Sequence, residues 1–168
     1  MGMGQDTTLV FTYGTLKKGF PNHVLLRRLM DSGDARFVGG CRTLHPYPLV
    51  CGPFRVPFLL HLPGSGHRVG GELYSVSPHA LSLLDDLEGT SLGHYQRLPL
   101  LVDPGNDSPP TAAQAYFAHP SYASDLWRKS GNKASTDYTP VEATGYVRRS
   151  DRPPNMSFLD HIRSFLSS

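Results

Sequence analysis

A chain of 168 residues that is 39% hydrophobic and 18% charged is too apolar and too weakly charged to be a disordered segment, and its length suits one domain of about 150 residues. Sixteen Lys and Arg against fourteen Asp and Glu leave a net charge of +2 with histidine neutral, too small to point to nucleic acid or an anionic membrane as the main partner, and neither is expected. Seventeen glycines and fifteen prolines favour a turn-rich β protein over a helical bundle. Two cysteines, Cys41 and Cys51, provide neither a disulfide framework nor a metal cluster, and no metal is expected. The apolar clusters Leu9-Val10-Phe11 and Phe58-Leu59-Leu60 fall far short of the roughly 20 residues of a membrane span. Met1 to Asp6 has no apolar leader core, and Asp6 stands where a myristoylation signal carries Ser or Thr. The expectation is a cytoplasmic protein with no membrane partner.

Along the chain, Thr7 to Tyr13 reads as a strand ending at the turn Tyr13-Gly14-Thr15-Leu16. After the loop Lys17 to Pro21, Asn22 is a candidate N-cap for a helix carrying Val24, Leu25, Leu29 and Met30. Ala35 to Leu44 reads as a strand with a bulge or bend at Gly39-Gly40. Prolines 46, 48, 53 and 57 divide the next stretch into short extended pieces. Strands are predicted at Val56 to Leu62, Arg68 to Val76, Tyr95 to Val102, Thr111 to His119 and Ala143 to Val147, with a loop over 103–110 and a short helix over Tyr122 to Arg128. Arg148 to Asn155 reads as a polar linker. Phe158, Leu159, Ile162, Phe165 and Leu166 then mark an amphipathic C-terminal helix, expected to pack back on the body in preference to a partner. Several short strands with few helices point to an α+β fold: a small barrel with short helices at its rim and a C-terminal helix. Residues 1–168 are read as one domain in which 148–168 form the linker and last helix.

The segment from Ser77 to Gly89 gives the sharpest signal. Ser77 suits an N-cap, Pro78 the first helical position and Gly89 a C-terminal stop. With Leu81 at zero and about 100° per residue, Leu84 falls near 300°, Leu87 near 240° and Glu88 near 340°. Asp86 falls near 140°, toward water, and Asp85 near 40°, at the edge of the apolar stripe. Glu88 therefore points inward, where burial raises a carboxylate toward the working range of a general acid/base. Two other outcomes fit the same spacing: the last turn frays and releases Glu88 to solvent, or Glu88 pairs structurally with an arginine such as Arg97.

Tyr13-Gly14-Thr15-Leu16 follows an apolar strand, and Gly14 can bring backbone N–H groups close to an anion or a developing oxyanion. An ordinary strand-end turn has the same four residues. Lys17 and Lys18 add positive charge nearby but suit solvent. No phosphate-binding GxxxxGK[ST], no GxGxxG after a strand and no HExxH is present, and Gly64-Ser65-Gly66 lacks the spacing of a nucleophile elbow. Cys51 with His61 is a conceivable nucleophile pair, though a lone cysteine more often acts as a small buried hydrophobe. Tyr116, Phe117 and Tyr122 suit either an aromatic patch or the core.

The ordered stretches Val10 to Lys17, Pro21-Asn22-His23, Arg42 to Val50, Leu59 to Gly66, Leu84-Asp85-Asp86-Leu87-Glu88 and Tyr95-Gln96-Arg97 together resemble the γ-glutamylcyclotransferase-like family. The γ-glutamylamine cyclotransferase branch, called avirulence-induced-gene-2-like in plants, is the most similar. The resemblance runs over roughly residues 9 to 100 and fades after about residue 120. It implies a small mixed barrel with a cavity, and a turn, here Tyr13, Gly14, Thr15 and Leu16, that binds the γ-glutamyl head through backbone groups. The catalytic Glu matches Glu88. The implied substrate is a small γ-glutamyl amine, γ-glutamyl-ε-lysine being typical of the branch, converted without a cofactor to 5-oxoproline and the free amine. Turnover of another γ-glutamyl compound, another acyl transfer, or a non-catalytic ligand-binding role are the alternatives.

Overall fold

The structure, a computed structural model, describes residues 6–168. Met1–Gln5, on which the leader reading and the start of the myristoylation reading fall, lie outside it. Seven strands, β1 (Thr8–Thr12), β2 (Ala35–Thr43), β3 (Leu49–Cys51), β4 (Pro57–Leu59), β5 (Gly70–Val76), β6 (Tyr95–Asp103) and β7 (Thr111–Ala118), form one sheet. Its order is β1-β5-β2-β6-β7-β4-β3, and an additional parallel pairing of β1 with β7, Val10 opposite Gln114, closes five of the strands into a ring. The helices are α1 (His23–Asp31), α2 (Pro78–Leu87), α3 (Pro120–Lys129), α4 (Pro140–Ala143) and α5 (Phe158–Ser167). The expected α+β architecture with a ring-like sheet is thus present, and no helix among the described residues is long and apolar enough to cross a membrane.

Strand alternation builds two packing clusters. Val10, Tyr74, Val76, Tyr116 and Ala118 join α1, α2, α3 and α5 through Leu26, Leu84, Leu126 and Ile162. Their sequence neighbours Phe11, Leu73, Ala115 and Phe117 pack with Leu100, Val102 and Ala113 in the other cluster. This is the period of two that places adjacent strand residues on opposite faces. The register of β2 against β5 shifts between Phe37 and Gly39, where the sequence suggested a bulge. Prolines bound the short strands: Pro48 precedes β3 and Pro57 opens β4.

Two assignments are corrected. Ala143 to Val147 is not a strand. Thr139 and Glu142 form a capping box around Pro140, so the segment begins as the one-turn helix α4. Arg148 to Asn155 is not a free linker either. It contains a 3₁₀ turn at Arg149–Asp151, and Arg152 is buried. The final helix does pack on the body: Ser157 caps it with Asp160 in a capping box, and Ile162 is 1% exposed among Phe58, Tyr95 and Leu126. Ile162→Ala is expected to destabilise the fold by about 2–5 kcal/mol in urea unfolding; a change below about 0.5 kcal/mol, as at an ordinary surface site, would mean that the helix is not docked.

Candidate active site

The turn after β1 is shaped by its neighbours. Tyr13 is buried, and its hydroxyl donates to the Tyr116 carbonyl at 2.6 Å. Gly14 does not use the left-handed backbone region that its glycine would permit. It is required for a different reason: a Cβ there would fall 2.5 Å from Pro57 Cγ, so only glycine lets the turn lie against β4. The carbonyls of the turn are tied back. Gly14 accepts from the Lys17 N–H at 3.1 Å, Thr15 from the Asn22 N–H at 2.9 Å, and Leu16 from His23 Nδ1 at 3.0 Å. The N–H groups of Gly14, Thr15 and Leu16, by contrast, donate to nothing among the described residues. Three consecutive donors are therefore left open on a turn that lines a cavity.

Asn22 precedes α1, but its side chain caps nothing. Instead Nδ2 donates to Thr15 Oγ1 at 2.9 Å and to the Tyr146 hydroxyl at 3.0 Å, which joins the turn to the C-terminal part of the chain. Lys17, expected in solvent, donates to the Tyr138 carbonyl at 2.8 Å and lies over the Phe20 ring.

On the opposite side, α2 begins as its sequence dictates: Ser77 accepts from the Ala80 N–H at 3.0 Å and Pro78 occupies the first position. The helix ends at Leu87, with Glu88 as C-cap and Gly89 in the left-handed region at φ 62°. Its carboxylate faces the cavity and makes no hydrogen bond among the described residues. Desolvation pushes the Glu88 pKa up to about 7, against the opposing pull of Arg149. The negative end of the α2 dipole acts in the same direction as burial. Tyr13, Tyr95, Tyr116 and Tyr122 surround this group; burial raises all four phenols, and the Glu88 charge raises them further.

Arg97 does not pair with Glu88. It grips Asp85 with a fork, Nε to Oδ1 at 2.9 Å and Nη2 to Oδ2 at 3.1 Å, while the Tyr116 hydroxyl donates to Oδ1 at 2.7 Å. Two carboxylates three residues apart are thus held in opposite states, one fully engaged and one open.

The cavity between these parts measures about 340 Å³. Its walls are the turn from Tyr13 to Leu16, Asn22, Val56 and Pro57, Leu87 and Glu88, Tyr95 and Tyr116, and the C-terminal residues Tyr146, Arg148, Arg149, Ser150, Arg152 and Phe158. The structure therefore brings together every site residue expected from the sequence, Glu88, Tyr13, Gly14, Thr15 and Leu16, and adds an arginine-rich wall from the segment read as a linker. Cationic composition was the available signal; the linker reading discounted it. Among the described residues no group of three or more His, Cys, Asp or Glu side chains gathers around one point. The Cys51–His61 pair does not form: His61 stacks edge-on with Phe117, and burial pushes the Cys51 thiol up, away from the thiolate a nucleophile needs. Phe117 and Tyr122 belong to the core, whereas Tyr116 serves both core and cavity.

Comparison with known proteins agrees with this geometry. Residues 10–149 match the model of the family described as gamma-glutamyl cyclotransferase, AIG2-like. A protein of Arabidopsis thaliana, provisionally named as a gamma-glutamylcyclotransferase, is 55% identical over 96% of this chain and 93% of its own length. The gamma-glutamylaminecyclotransferase of Homo sapiens is 41% identical over 86% of this chain and 99% of its own. The crystal structure of an AIG2-like protein from Mus musculus superimposes with a TM-score of 0.74 at 32% identity, covering 88% of this chain and 100% of that one. With the matched region taking in the turn, the helix that ends at Glu88 and the arginine-bearing wall as far as Arg149, this chain belongs to the gamma-glutamyl cyclotransferase, AIG2-like family.

Proposed function

We propose that this protein converts a γ-glutamyl amine to 5-oxoproline and the free amine, with Glu88 moving the proton. The observation that carries the reading is a carboxylate without a hydrogen-bond partner that shares a cavity with three open backbone N–H groups, and desolvation raises its pKa. The names of the human and plant relatives supply the substrate class.

The chemistry needs little more than this. The α-nitrogen of the γ-glutamyl group attacks its own γ-carbonyl carbon, a C–N bond closes the five-membered ring, and the bond to the departing amine breaks. Nucleophile and electrophile are tethered, so holding them in reactive geometry supplies much of the acceleration and no enzyme nucleophile is required. The α-amine starts as an ammonium. Ionised Glu88 first takes one proton from it, which frees the lone pair that attacks; the nitrogen sheds a second proton as the ring amide forms, and the leaving nitrogen takes up both protons and departs as an ammonium, so Glu88 ends ionised as it began. The N–H groups of Gly14, Thr15 and Leu16 stabilise the negative charge that develops on the carbonyl oxygen or hold the head's carboxylate. Arg97, by occupying Asp85, keeps the last turn of α2 in place while leaving Glu88 open. A cytoplasmic setting accords with two unpaired cysteines, Cys41 and Cys51.

Glu88→Gln is expected to lower kcat by about 10²–10⁴-fold, the usual contribution of a positioned acid/base, with folding retained; 5-oxoproline release at wild-type rate would remove the mechanism. The wild-type rate should fall on an acidic limb centred near pH 7, where Glu88 becomes protonated, and on an alkaline limb set by the substrate ammonium. Stability carries the same signature. The folded chain holds the Glu88 proton more tightly than the unfolded chain does, so this group's contribution is complete below the ordinary carboxylate range and is lost as pH rises to about 7. Thermal unfolding should therefore find Glu88→Gln more stable than wild type at pH 8, by up to about 3 kcal/mol, and equal to it near pH 4. Gly14→Ala, which drives a methyl group into Pro57, should displace the turn and raise KM with α2 intact.

A further inference from the structure

The cavity has a second wall of different character, whose Arg149 lies within electrostatic reach of Glu88. Arg152 is 9% exposed, its Nε donates to the Val147 carbonyl at 2.9 Å, and its guanidinium carbon lies 5.3 Å from the centre of the Phe54 ring and 5.6 Å from that of Tyr146. Phe54 reaches this position at a positive φ of 59°, a backbone region unfavourable to a bulky residue. Strain of that kind persists where the surrounding structure fixes it, commonly beside ligands.

No carboxylate accompanies this cation. Among the described residues five arginines pair with an aspartate and the others do not, and of the unpaired ones Arg152 is the one that is buried. Beyond Nε, the Arg152 guanidinium meets the Tyr146 side chain and no carboxylate, and none of its nitrogens is both fully enclosed and unpartnered. The Nη groups accordingly open onto cavity space. Burial pulls the guanidinium below the ordinary arginine range, as expected of a cation awaiting its counter-charge. Arg149, Ser150, Arg152 and Phe158 also form the wall shared with an adjoining cavity of about 340 Å³.

We infer that Arg152, assisted by Arg149, is a carboxylate-binding subsite for the amine half of the substrate. This rests on the reading of Glu88 and the turn given above: those groups fix where the γ-glutamyl head reacts, and Arg149 and Arg152, which line both that cavity and the adjoining one, offer the departing amine room to extend. A planar fork of donors, stacked on aromatic rings and short of an anion, suits a carboxylate in particular. The protein then selects γ-glutamyl amines whose amine portion carries a carboxylate over neutral analogues of equal length.

The test compares γ-glutamyl-aminohexanoate with γ-glutamyl-aminohexanamide, two compounds that differ in the carboxylate of the amine half. Wild type should prefer the carboxylate by about tenfold or more in kcat/KM. Arg152→Met should abolish that preference, Arg152→Lys should retain part of it, and Arg149→Gln should weaken it. Binding of the same pair to Glu88→Gln, followed by calorimetry, should show the same ratio without any turnover. No preference in wild-type turnover and in binding to Glu88→Gln overturns the subsite. So does a proportional loss on both compounds in Arg152→Met, which would assign the arginine to the glutamyl head. If Arg152→Met fails to fold, the preference in wild type and its response to Arg149→Gln decide. Absence of turnover with the binding preference intact would instead contradict the cyclotransferase reading and leave the subsite standing.

Discussion

The fork between Arg97 and Asp85 is the interaction on which the site depends. It joins the last turn of α2 to β6, and the Tyr116 hydroxyl joins the same carboxylate to β7. A helix end is ordinarily its least ordered part, and Glu88 lies one residue past the last helical position. Anchored at Asp85 and stopped by Gly89, that end holds Glu88 at the cavity wall. A desolvated carboxylate without a partner is unfavourable, and it persists only because the frame around it has no easier arrangement. The division of labour is clear in the contacts: one acid is neutralised so that its neighbour need not be.

Closure of the sheet provides the other half. β1 lies between β5 and β7, so its end and the turn beyond it are fixed on both sides. Pro57 then presses against Gly14, while Lys17, Asn22 and His23 draw the turn's carbonyls away from the cavity. What remains available is a row of N–H donors. The site thus consists of a donor turn at one side and an acid at the other. That composition fits a reaction in which the substrate attacks itself.

Much of this was legible in the residues. Ser77, Pro78 and Gly89 fix where α2 starts and stops, and once both ends are fixed the helical angle places Glu88 inward. The same angle put Asp85 at the edge of the stripe, which is where a residue can reach across to a neighbouring strand, but the partner of Arg97 was not legible because the register of β6 against α2 is a tertiary fact. Gly14 was recognised as special for its backbone freedom, whereas its role is steric and depends on Pro57, 43 positions away in sequence. The stretch from Arg148 to Asn155 was misread for a related reason. Its polarity and prolines suggested a linker, yet Arg152 is buried by stacking on Phe54 and Tyr146, residues that local pattern cannot bring to it. Local rules identify caps and faces well; they do not show which polar segment covers the mouth of a cavity.

The central claim is that Glu88 is held unpaired and desolvated, and it is most directly tested by titrating that carboxyl group itself. Carbon-13 NMR of the side-chain carboxyls, with the Glu88 signal assigned by its disappearance in Glu88→Gln, should give a midpoint of about 7. A midpoint near 4, in the ordinary range of a solvated glutamate, would contradict the account.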